Sequence, residues 1–374
     1  MKLIGKNSQW SWRQAHKLRG HESLIAGMVI VTLFYLIALL ADLFAPYDYR
    51  AQSRRQPMAP PASLHFLDAQ GRWGLRPFIH AQRLVDPLER RYEENTDQAY
   101  PIMLFTQGYS YKLLGLFRTD LHLFGIQNAD SLDAPRVCLL GTDGFGRDRL
   151  SRLLIASRFS LLIAPLGTLL ASALGALIGL IAGYAGTWVD SALMRAADVM
   201  MALPALVLIL AARAAFPLEL PPTRAAILLV TIFVALGWAE MARLARGLTL
   251  ELRQREFVLA AVSLGCSPAR VIFRHILPNA VRPLMTQAFL MLPVFLLTET
   301  SLSFLGVGLQ EPEASWGSLL AEAADINLLQ SGAALVILTP AFTITFFVLG
   351  TRLIGNGLEK LSQTVEQRSG QTEG

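Results

Sequence analysis

The chain has 374 residues, of which 53% are hydrophobic and only 16% are charged, against about 25% charged residues in an ordinary soluble domain. This composition excludes a typical soluble enzyme and indicates a protein that crosses a membrane several times. The net charge of +5 does not indicate nucleic-acid binding, because the basic residues lie in short segments beside apolar runs and form no single patch. Such a placement is typical of the positive loops that orient membrane proteins.

The N-terminal segment, residues 1–23, is basic and contains Trp10 and Trp12. The apolar run that follows has the length of one helix across the hydrocarbon core. A cleavable signal peptide is the alternative, but its apolar region usually has about 7–15 residues, and no small-residue cleavage site stands out here. We therefore predict a cytoplasmic N-terminus and an uncleaved first transmembrane helix, residues 24–46.

Residues 47–152 have the composition of a soluble segment, with prolines, charged turns and apolar-aromatic stretches. A structureless loop of this length would be unusual. We therefore predict a small folded insertion outside the cytoplasm, after the first helix.

A transmembrane domain, residues 153–356, and a polar cytoplasmic tail, residues 357–374, complete the chain. Five further spans are predicted in the domain at residues 160–184, 192–212, 224–245, 280–305 and 332–354. The predicted fold is thus all-α, with six transmembrane helices. Two cysteines, Cys138 and Cys266, fall on opposite sides of the membrane in this topology and are expected to be ordinary thiols.

The orientation rests on two signals. A basic N-terminus inside and six spans place residues 256–279 in the cytoplasm, between the fourth and fifth spans. That segment and its flanks are rich in arginine, as an inside loop should be. The arginines are Arg243, Arg246, Arg253, Arg255, Arg270 and Arg274.

The second span contains Gly175, Gly179 and Gly183 at four-residue spacing. Glycines stacked on one helical face let another helix approach closely. The alternative is that they are ordinary glycines of a membrane helix, but three in register favour tight helix packing.

The segment 256–279 reads "EFVLAAVSLGCSPARVIFRHILPN". Its apolar positions follow the spacing of one helical face; they are Phe257, Ala260, Ala261 and Leu264. Gly265 is suited to end that helix, and Ser267 with Pro268 is suited to begin another. The second helix would contain Val271, Ile272 and Ile276 and stop near Pro278.

Three interpretations of this helix–corner–helix segment remain open from its physics. It can dock on another protein, lie on the lipid surface as an amphipathic helix, or serve as an ordinary loop. The small residues Ala260 and Ala261 would let a partner's surface approach, and the bulky anchors of a lipid-lying helix are lacking.

The same segment, with "LAAVSLG" followed by "HILPN", resembles the EAA loop of integral membrane permeases of ABC importers, in the dipeptide, oligopeptide and nickel subfamily. Two further stretches resemble that subfamily, "LLGTDGFGRDRLSRLLIASRFSLLI" from Leu139 and "SLSFLGVGLQEPEASWGSLL" from Ser301. The resemblance covers the first span and then residue 139 to the C-terminus. The insertion between them is longer than in common members.

The resemblance implies that the EAA loop forms a coupling helix, which sits in a cleft of an ATP-binding subunit. Carried over by residue, the matches are Ala260, Ala261, Gly265, His275, Leu277 and Pro278. Leu259 stands where the motif has a glutamate, which removes a charge. Glu256 lies about one helical turn away and is a candidate substitute.

No P-loop, HExxH or C-x-x-C motif occurs in the sequence, so we expect no catalytic residue and no metal ligand, and no cofactor in this chain. ATP and magnesium are expected on a separate ATPase chain. An intramembrane hydrolase is the rival enzyme class, but all six histidines fall outside the predicted spans.

Ionisable residues within spans are candidates for the pathway, here Glu240 and Glu299. Snorkelling or pairing between helices is the alternative for each, and a secondary transporter would use such residues too. A secondary transporter would not need the 256–279 segment.

The sequence therefore predicts a permease subunit of an ABC importer in a bacterial inner membrane, with both termini cytoplasmic. The resemblance implies a second homologous permease, two ATP-binding subunits and an extracytoplasmic substrate-binding protein as partners. Peptides are the expected cargo, with nickel, opines and oligosaccharides left open.

Overall fold

The structure is a computed structural model that describes residues 5–67, 73–87, 90–126, 135–217, 220–306, 308–324 and 338–372. Its α-helices are α1 Gly5–Leu39, α2 Ala41–Phe44, α3 Arg149–Tyr184, α4 Thr187–Ala202, α5 Ala205–Ala214, α6 Pro222–Leu252, α7 Glu256–Ser263, α8 Pro268–Arg270, α9 Leu277–Phe304, α10 Trp316–Ala323 and α11 Thr339–Thr372. A π-helix, Val271–Ile276, joins α8 to α9.

Among the described residues, five helices are long and apolar enough to cross a membrane. They are Glu22–Leu39, Arg149–Tyr184, Pro222–Leu252, Pro268–Phe304 and Thr339–Lys360. These helices coincide with the predicted first, second, fourth, fifth and sixth spans. The start of the predicted sixth span, residues 332–337, lies outside the described residues.

The predicted third span, residues 192–212, falls on two shorter helices, α4 with 16 residues and α5 with 10. The helix breaks at Leu203, whose backbone is extended. Pro204 follows it, and proline disfavours a helical conformation in the residue before it. Neither helix is long enough by itself to cross a membrane, so the part of the chain that the structure describes contains five helices of sufficient length and not the predicted six.

The predicted all-α class is wrong for the segment after α2, which contains five β-strands. They are β1 His65–Leu67, β2 Trp73–Asp86, β3 Arg91–Pro101, β4 Met103–Leu113 and β5 Phe117–Gly125. An antiparallel sheet has the order β1-β2-β3, and β4 and β5 form a hairpin. Strands such as β5, "FRTDLHLFG", carry β-branched and aromatic residues that favour a pleated surface. At the hairpin turn, Leu114 and Gly115 adopt positive φ.

The chain divides into two compact units. The first contains residues Met1–Thr32, Leu162–Glu299 and Thr345–Gly374, and the second contains Leu33–Leu161 and Thr300–Ile344. In the first unit, α3, α6 and α9 meet in a buried apolar cluster. Its members are Ala171, Met241, Ala245, Ala280, Leu284 and Met291.

In the second unit, β2 and the chain that follows β5 share a small core made by Ile79, Ile126 and Val137. The N-terminus of α3 is capped by Asp148, whose Oδ2 accepts hydrogen bonds from the Ser151 N–H at 2.8 Å and the Ser151 hydroxyl at 2.6 Å. Burial raises the pKa of this Asp148 carboxyl to about 6.

Candidate functional site

The segment 256–279 lies in the first unit and folds as α7, a glycine corner, α8, the π-helix and the start of α9. Gly265 has a φ of +78° just after α7, the left-handed backbone that favours glycine at a helix end. Ser267 and Pro268 occupy the N-cap position and the first residue of α8, although the Ser267 side chain makes no capping hydrogen bond.

The second helix does not stop near Pro278, and this prediction was wrong. The chain stays helical through Pro278 to Phe304. A proline inside an α-helix lacks the N–H donor, and its ring clashes with the carbonyl four residues earlier. The preceding turn is a π-helix in which the Leu277 N–H donates to the Ile272 carbonyl, five residues back, so the proline follows a turn of altered register.

The apolar positions of α7 are divided between a buried side and an exposed side. Its buried residues are Val258 and Ala261, whereas Phe257, Ala260 and Leu264 are exposed. The reason is tertiary, because α7 packs through Val258 into a cluster that contains Leu180, Val271, Ile272 and Ile276. Of the four apolar positions at helical spacing, Ala261 is therefore buried, and the other three face outward.

This cluster anchors the segment to the long helices. Tyr184 at the end of α3 and Leu252 at the end of α6 pack against its buried residues. The segment is therefore attached through side-chain packing to two helices long enough to span a membrane.

The outward side of α7 and the corner form an exposed apolar surface, termed here the loop surface. It consists of Phe257, Leu259, Ala260 and Leu264, and the Leu264 side chain is 85% exposed. Exposed arginines accompany it within the same segment and its flank, namely Arg253, Arg255, Arg270 and Arg274. An exposed apolar surface beside charges is suited to contact either another protein or the lipid surface.

The remaining residues matched to the EAA motif lie on both sides of the corner. Glu256 is exposed in the first turn of α7 and forms no ion pair within the described part of the chain. His275 is partly buried, and its carbonyl accepts a hydrogen bond from the Asn279 side chain at 2.6 Å. Leu277 is partly buried and Pro278 is exposed.

The three glycines of α3 lie against α6. A Cβ added at Gly179 would overlap the Ala242 carbonyl oxygen and lie 2.7 Å from the Ala245 Cβ. Gly175 and Gly183 meet α6 in the same way, next to Met241 and Thr249. The glycines thus occupy places where the two helix backbones leave no room for a side chain.

The two candidate pathway acids are not brought together. Glu240 of α6 is exposed and accepts a hydrogen bond from the Gln287 side chain of α9 at 2.7 Å. Glu299 is fully buried in α9. Twelve residues separate Gln287 from Glu299, which is about 18 Å of helix.

Ion pairs also join α4 to α6 in the first unit. The Arg246 guanidinium donates to both carboxylate oxygens of Asp190 at 2.5 and 2.6 Å. A second pair joins Asp198 of α4 to Arg243 of α6. The broken third segment is therefore tied to α6 by charges.

A group of buried charges in the second unit was missed by the sequence reasoning. Arg147 and Arg152 are almost fully buried, and both donate to the Asp143 carboxylate, at 2.6 and 2.5 Å. Arg147 also pairs with Glu311, and Arg152 lies 2.7 Å from Glu322. Buried charges are tolerated only when paired in this way.

The buried cluster joins the two stretches that resembled the permease family, one beginning at residue 139 and the other at residue 301. Burial by itself would raise the pKa of the Glu311 carboxyl, but hydrogen bonds from Arg147 and the charge of Arg152 lower it. Burial raises the pKa of Glu322. The available signal was the clustering of opposite charges in two stretches next to apolar spans.

Comparison with known proteins gives two matches to described families. Residues 175–361 match the family described as binding-protein-dependent transport system inner membrane component. Residues 8–61 match the N-terminal transmembrane domain of oligopeptide transport permease C.

Individual relatives extend over more of the chain. A peptide permease protein of Brucella suis is 36% identical over 302 residues, which cover 76% of this chain and 96% of the relative. The dipeptide transport system permease protein DppC of Alkalihalophilus pseudofirmus is 37% identical over 218 residues, or 58% of this chain and 69% of the relative. A second Brucella suis protein, named as a peptide transport system permease, is 38% identical over 223 residues, which cover 59% of this chain and 71% of the relative.

Proposed function

The chain belongs to the family of binding-protein-dependent transport system inner membrane components, and we propose that it is the permease subunit of an ATP-driven importer of peptides. Support for peptide cargo comes from the relatives, whose names specify dipeptide or peptide transport. Nickel, opines and oligosaccharides are the competing cargoes.

The observation that carries the proposal is the loop surface on its buried anchor. Leu264 and its exposed neighbours face outward, while Val258 and Ile276 pack with Leu180 at the end of a membrane-length helix. An ordinary loop that only connected two helices would need neither an exposed apolar side nor a packed attachment to the helix ends. An ATP-binding subunit that docks on it gains a mechanical connection to the helices.

The proposed mechanism is alternating access. Two ATP-binding subunits close on ATP and magnesium, which they hold themselves, and their movement displaces α7. Packing of the segment against the ends of α3 and α6 then tilts these helices. The pathway would lie between this chain and a second, homologous permease, and a substrate-binding protein would deliver the cargo from outside.

We propose that the chain crosses the membrane six times, with both termini in the cytoplasm and the β-rich insertion outside. The third crossing would be made by α4 and α5 together, which extend from Thr187 to Ala214 and exceed the roughly 20 residues of one crossing. With this third crossing, four crossings separate the basic N-terminus from the arginine-rich segment 256–279. An even number places both on the same side of the membrane, as the positive-inside rule requires.

The test is the substitution Leu264→Asp. Because this side chain is 85% exposed, the change should alter folding stability by no more than about 0.5 kcal/mol. It places a charge in the apolar contact, so the ATP-binding subunits should no longer copurify with the tagged permease and uptake of a labelled dipeptide should be lost.

The matched control is Leu116→Asp, at a similarly exposed leucine of the β4–β5 hairpin. It should leave the ATP-binding subunits bound. If the Leu264→Asp protein copurifies with them and transports the dipeptide at the normal rate, the proposed coupling role of the loop surface is wrong.

A further inference from the structure

The tip of the β4–β5 hairpin is an exposed apolar turn. Its large apolar side chains, Leu114, Leu116 and Phe117, are 46%, 76% and 67% exposed. Leu114 and Gly115 have φ of +55° and +72°, and a hairpin turn of this kind usually carries Asn-Gly or Asp-Gly. A leucine with positive φ is uncommon, so the turn itself does not require an apolar tip.

Two basic residues flank this tip. Lys112 and Arg118 are partners across the two strands, and both are exposed. Like charges directly opposite each other destabilise a strand pair. The segment 112–120 holds these two cations and a single acid, Asp120, so the end of the hairpin carries a net positive charge that suits an anionic partner.

The middle of the hairpin is held next to the end of a membrane-length helix. Both of its strands pack on α2, and a ring nitrogen of the buried His122 lies 3.0 Å from the Asp42 carbonyl oxygen. Asp42 follows the end of the helix Glu22–Leu39 by about 5 Å of helix. Lipid headgroups extend about 5–7 Å beyond the hydrocarbon core on each side, so the contact with α2 lies at headgroup depth.

The hairpin runs toward the membrane from its base to its tip. At the base, Gly125 and Ile126 line a cavity of about 160 Å³ together with residues 46–48, which follow α2. Three residues closer to the tip, His122 contacts Asp42 instead. The neighbours of β5 therefore lie progressively nearer the end of α1.

Tyr109 of β4 continues this trend. Burial raises the pKa of its hydroxyl, the carboxylates of Asp42 and Asp48 raise the pKa further, and the Arg158 guanidinium lowers it, as a charge does from a short distance. Arg158 belongs to α3, pairs with Asp42 at 2.8 Å and donates to the Ala38 carbonyl at 2.9 Å. The hairpin therefore lies along the ends of two membrane-length helices.

We infer that the tip enters the bilayer surface on the side of the insertion, with its three apolar side chains among the acyl chains and Lys112 and Arg118 on the phosphates of anionic phospholipids. Interfacial membrane anchors combine basic and apolar side chains in this way and bury the apolar ones by about 5–10 Å. The strand from His122 to Leu116 spans roughly 20 Å, enough to reach the acyl chains from headgroup depth. A lipid phosphate between the two cations also relieves their repulsion.

The experiment places a fluorescent probe on the tip of the full-length protein in lipid nanodiscs. Leu116→Cys is labelled with bimane in a Cys266→Ser background, since the other cysteine, Cys138, is buried. A lipid with a nitroxide near the start of its acyl chain should quench this probe. The matched control is Leu104→Cys, at a leucine of the hairpin base that is 71% exposed and paired with Phe124. Its probe lies roughly 26 Å of strand away and should be quenched at least about threefold less.

Headgroup recognition is measured with the same Leu116 probe. Nitroxide-labelled phosphatidylglycerol should quench it at least about twofold more than the phosphatidylcholine analogue, because basic residues attract anionic lipids. The double variant Lys112→Gln, Arg118→Gln should lose this preference. The matched control removes two exposed arginines of the neighbouring sheet, Arg83→Gln with Arg91→Gln, and should keep it.

The inference is overturned if aqueous iodide quenches the Leu116 probe and the nitroxide lipid does not, which places the tip in water. It is also overturned if neither quencher reaches the probe, which means that protein covers the tip, or if the Leu104 probe is quenched equally by the lipid. A preference for phosphatidylglycerol that is absent, or that survives in the Lys112 and Arg118 double variant, overturns the anionic headgroup contact.

Thermal unfolding of each labelled variant shows whether it is folded, and Phe117→Cys gives a second probe position on the tip. Because quenching is measured without ATP and without cargo, these outcomes are independent of the proposed importer function.

Discussion

Leu259 replaces the glutamate of the EAA motif, and its side chain lies on the outward side of α7, 53% exposed. The substitution therefore changes the chemistry of the surface and leaves the packing of the segment intact, since the anchoring residues are Val258 and Ala261. Glu256, one turn earlier and also exposed, is placed to present a carboxylate from nearly the same part of the helix.

Glu256→Ala tests whether this carboxylate compensates for Leu259. We expect dipeptide-stimulated ATP hydrolysis by the assembled complex to fall by up to about fivefold, the range of an ion pair at a solvent-exposed contact. The matched control is Glu251→Ala, because Glu251 is exposed and paired with Arg255 within this chain, at 2.9 Å. Unchanged hydrolysis and transport in the Glu256 variant would show that the segment couples through shape alone.

At the residue scale, the end of α7 and the start of α8 at the glycine corner could be predicted from the residue types found there. Gly265 has the left-handed backbone expected of it, and Pro268 begins α8, because both effects depend on the residue's own backbone preferences. The orientation of Phe257, Ala260 and Leu264 could not be predicted, since an apolar residue at helical spacing is buried only where another element covers it.

At the scale of elements, the contact between α3 and α6 depends on glycine. The backbones approach so closely that a side chain at Gly179 meets the Ala242 carbonyl and the Ala245 side chain. Gly247 of α6, by contrast, faces open space, and an added Cβ there meets no atom within 4 Å. The two positions form a natural comparison.

We expect Gly179→Ala to lower the free energy of unfolding by about 1–3 kcal/mol, the usual cost of overpacking. Gly247→Ala should instead be neutral or stabilising by up to about 1 kcal/mol, because alanine is the better helix former. Thermal unfolding of both variants in the same detergent measures the difference. Equal stability of the two would mean that α3 and α6 do not pack as closely as described.

Two helix boundaries near prolines were not predicted correctly from the local sequence. Pro278 reads as a helix stop, yet a π-helix precedes it and α9 continues. Leu203 and Pro204 lie inside an apolar run that reads as one span, yet the helix breaks there. Proline changes the local hydrogen bonding in both places, but whether the chain breaks or adapts depends on the packing of its neighbours.

At the scale of the whole molecule, the β-rich insertion and the loop surface belong to different compact units. We propose that their partners also differ: the insertion meets a substrate-binding protein or a second permease, and the loop surface meets an ATP-binding subunit. A change confined to the insertion should therefore separate the two activities.

Replacing residues 65–125 by a short Gly-Ser linker should impair dipeptide uptake and leave copurification of the ATP-binding subunits intact. A shorter deletion of residues 112–118 removes only the exposed end of the β4–β5 hairpin and keeps the core of Ile79, Ile126 and Val137. Loss of both uptake and copurification in the shorter deletion would indicate that the insertion is needed for folding.

The sequence by itself predicted the five membrane-length helices found among the described residues and contains no P-loop motif, while the cytoplasmic position of residues 256–279 stays a prediction. These features depend on length, local composition and residue identity, which need no knowledge of the fold. Only the tertiary structure decided which face of α7 is exposed, which acids pair with Arg147 and Arg152, and that the β4–β5 hairpin lies against α2. Apart from the local pairing of Arg147 and Arg152 with Asp143, these features rest on contacts between residues far apart in the chain, such as Arg152 with Glu322, and such contacts exist only once the elements have packed.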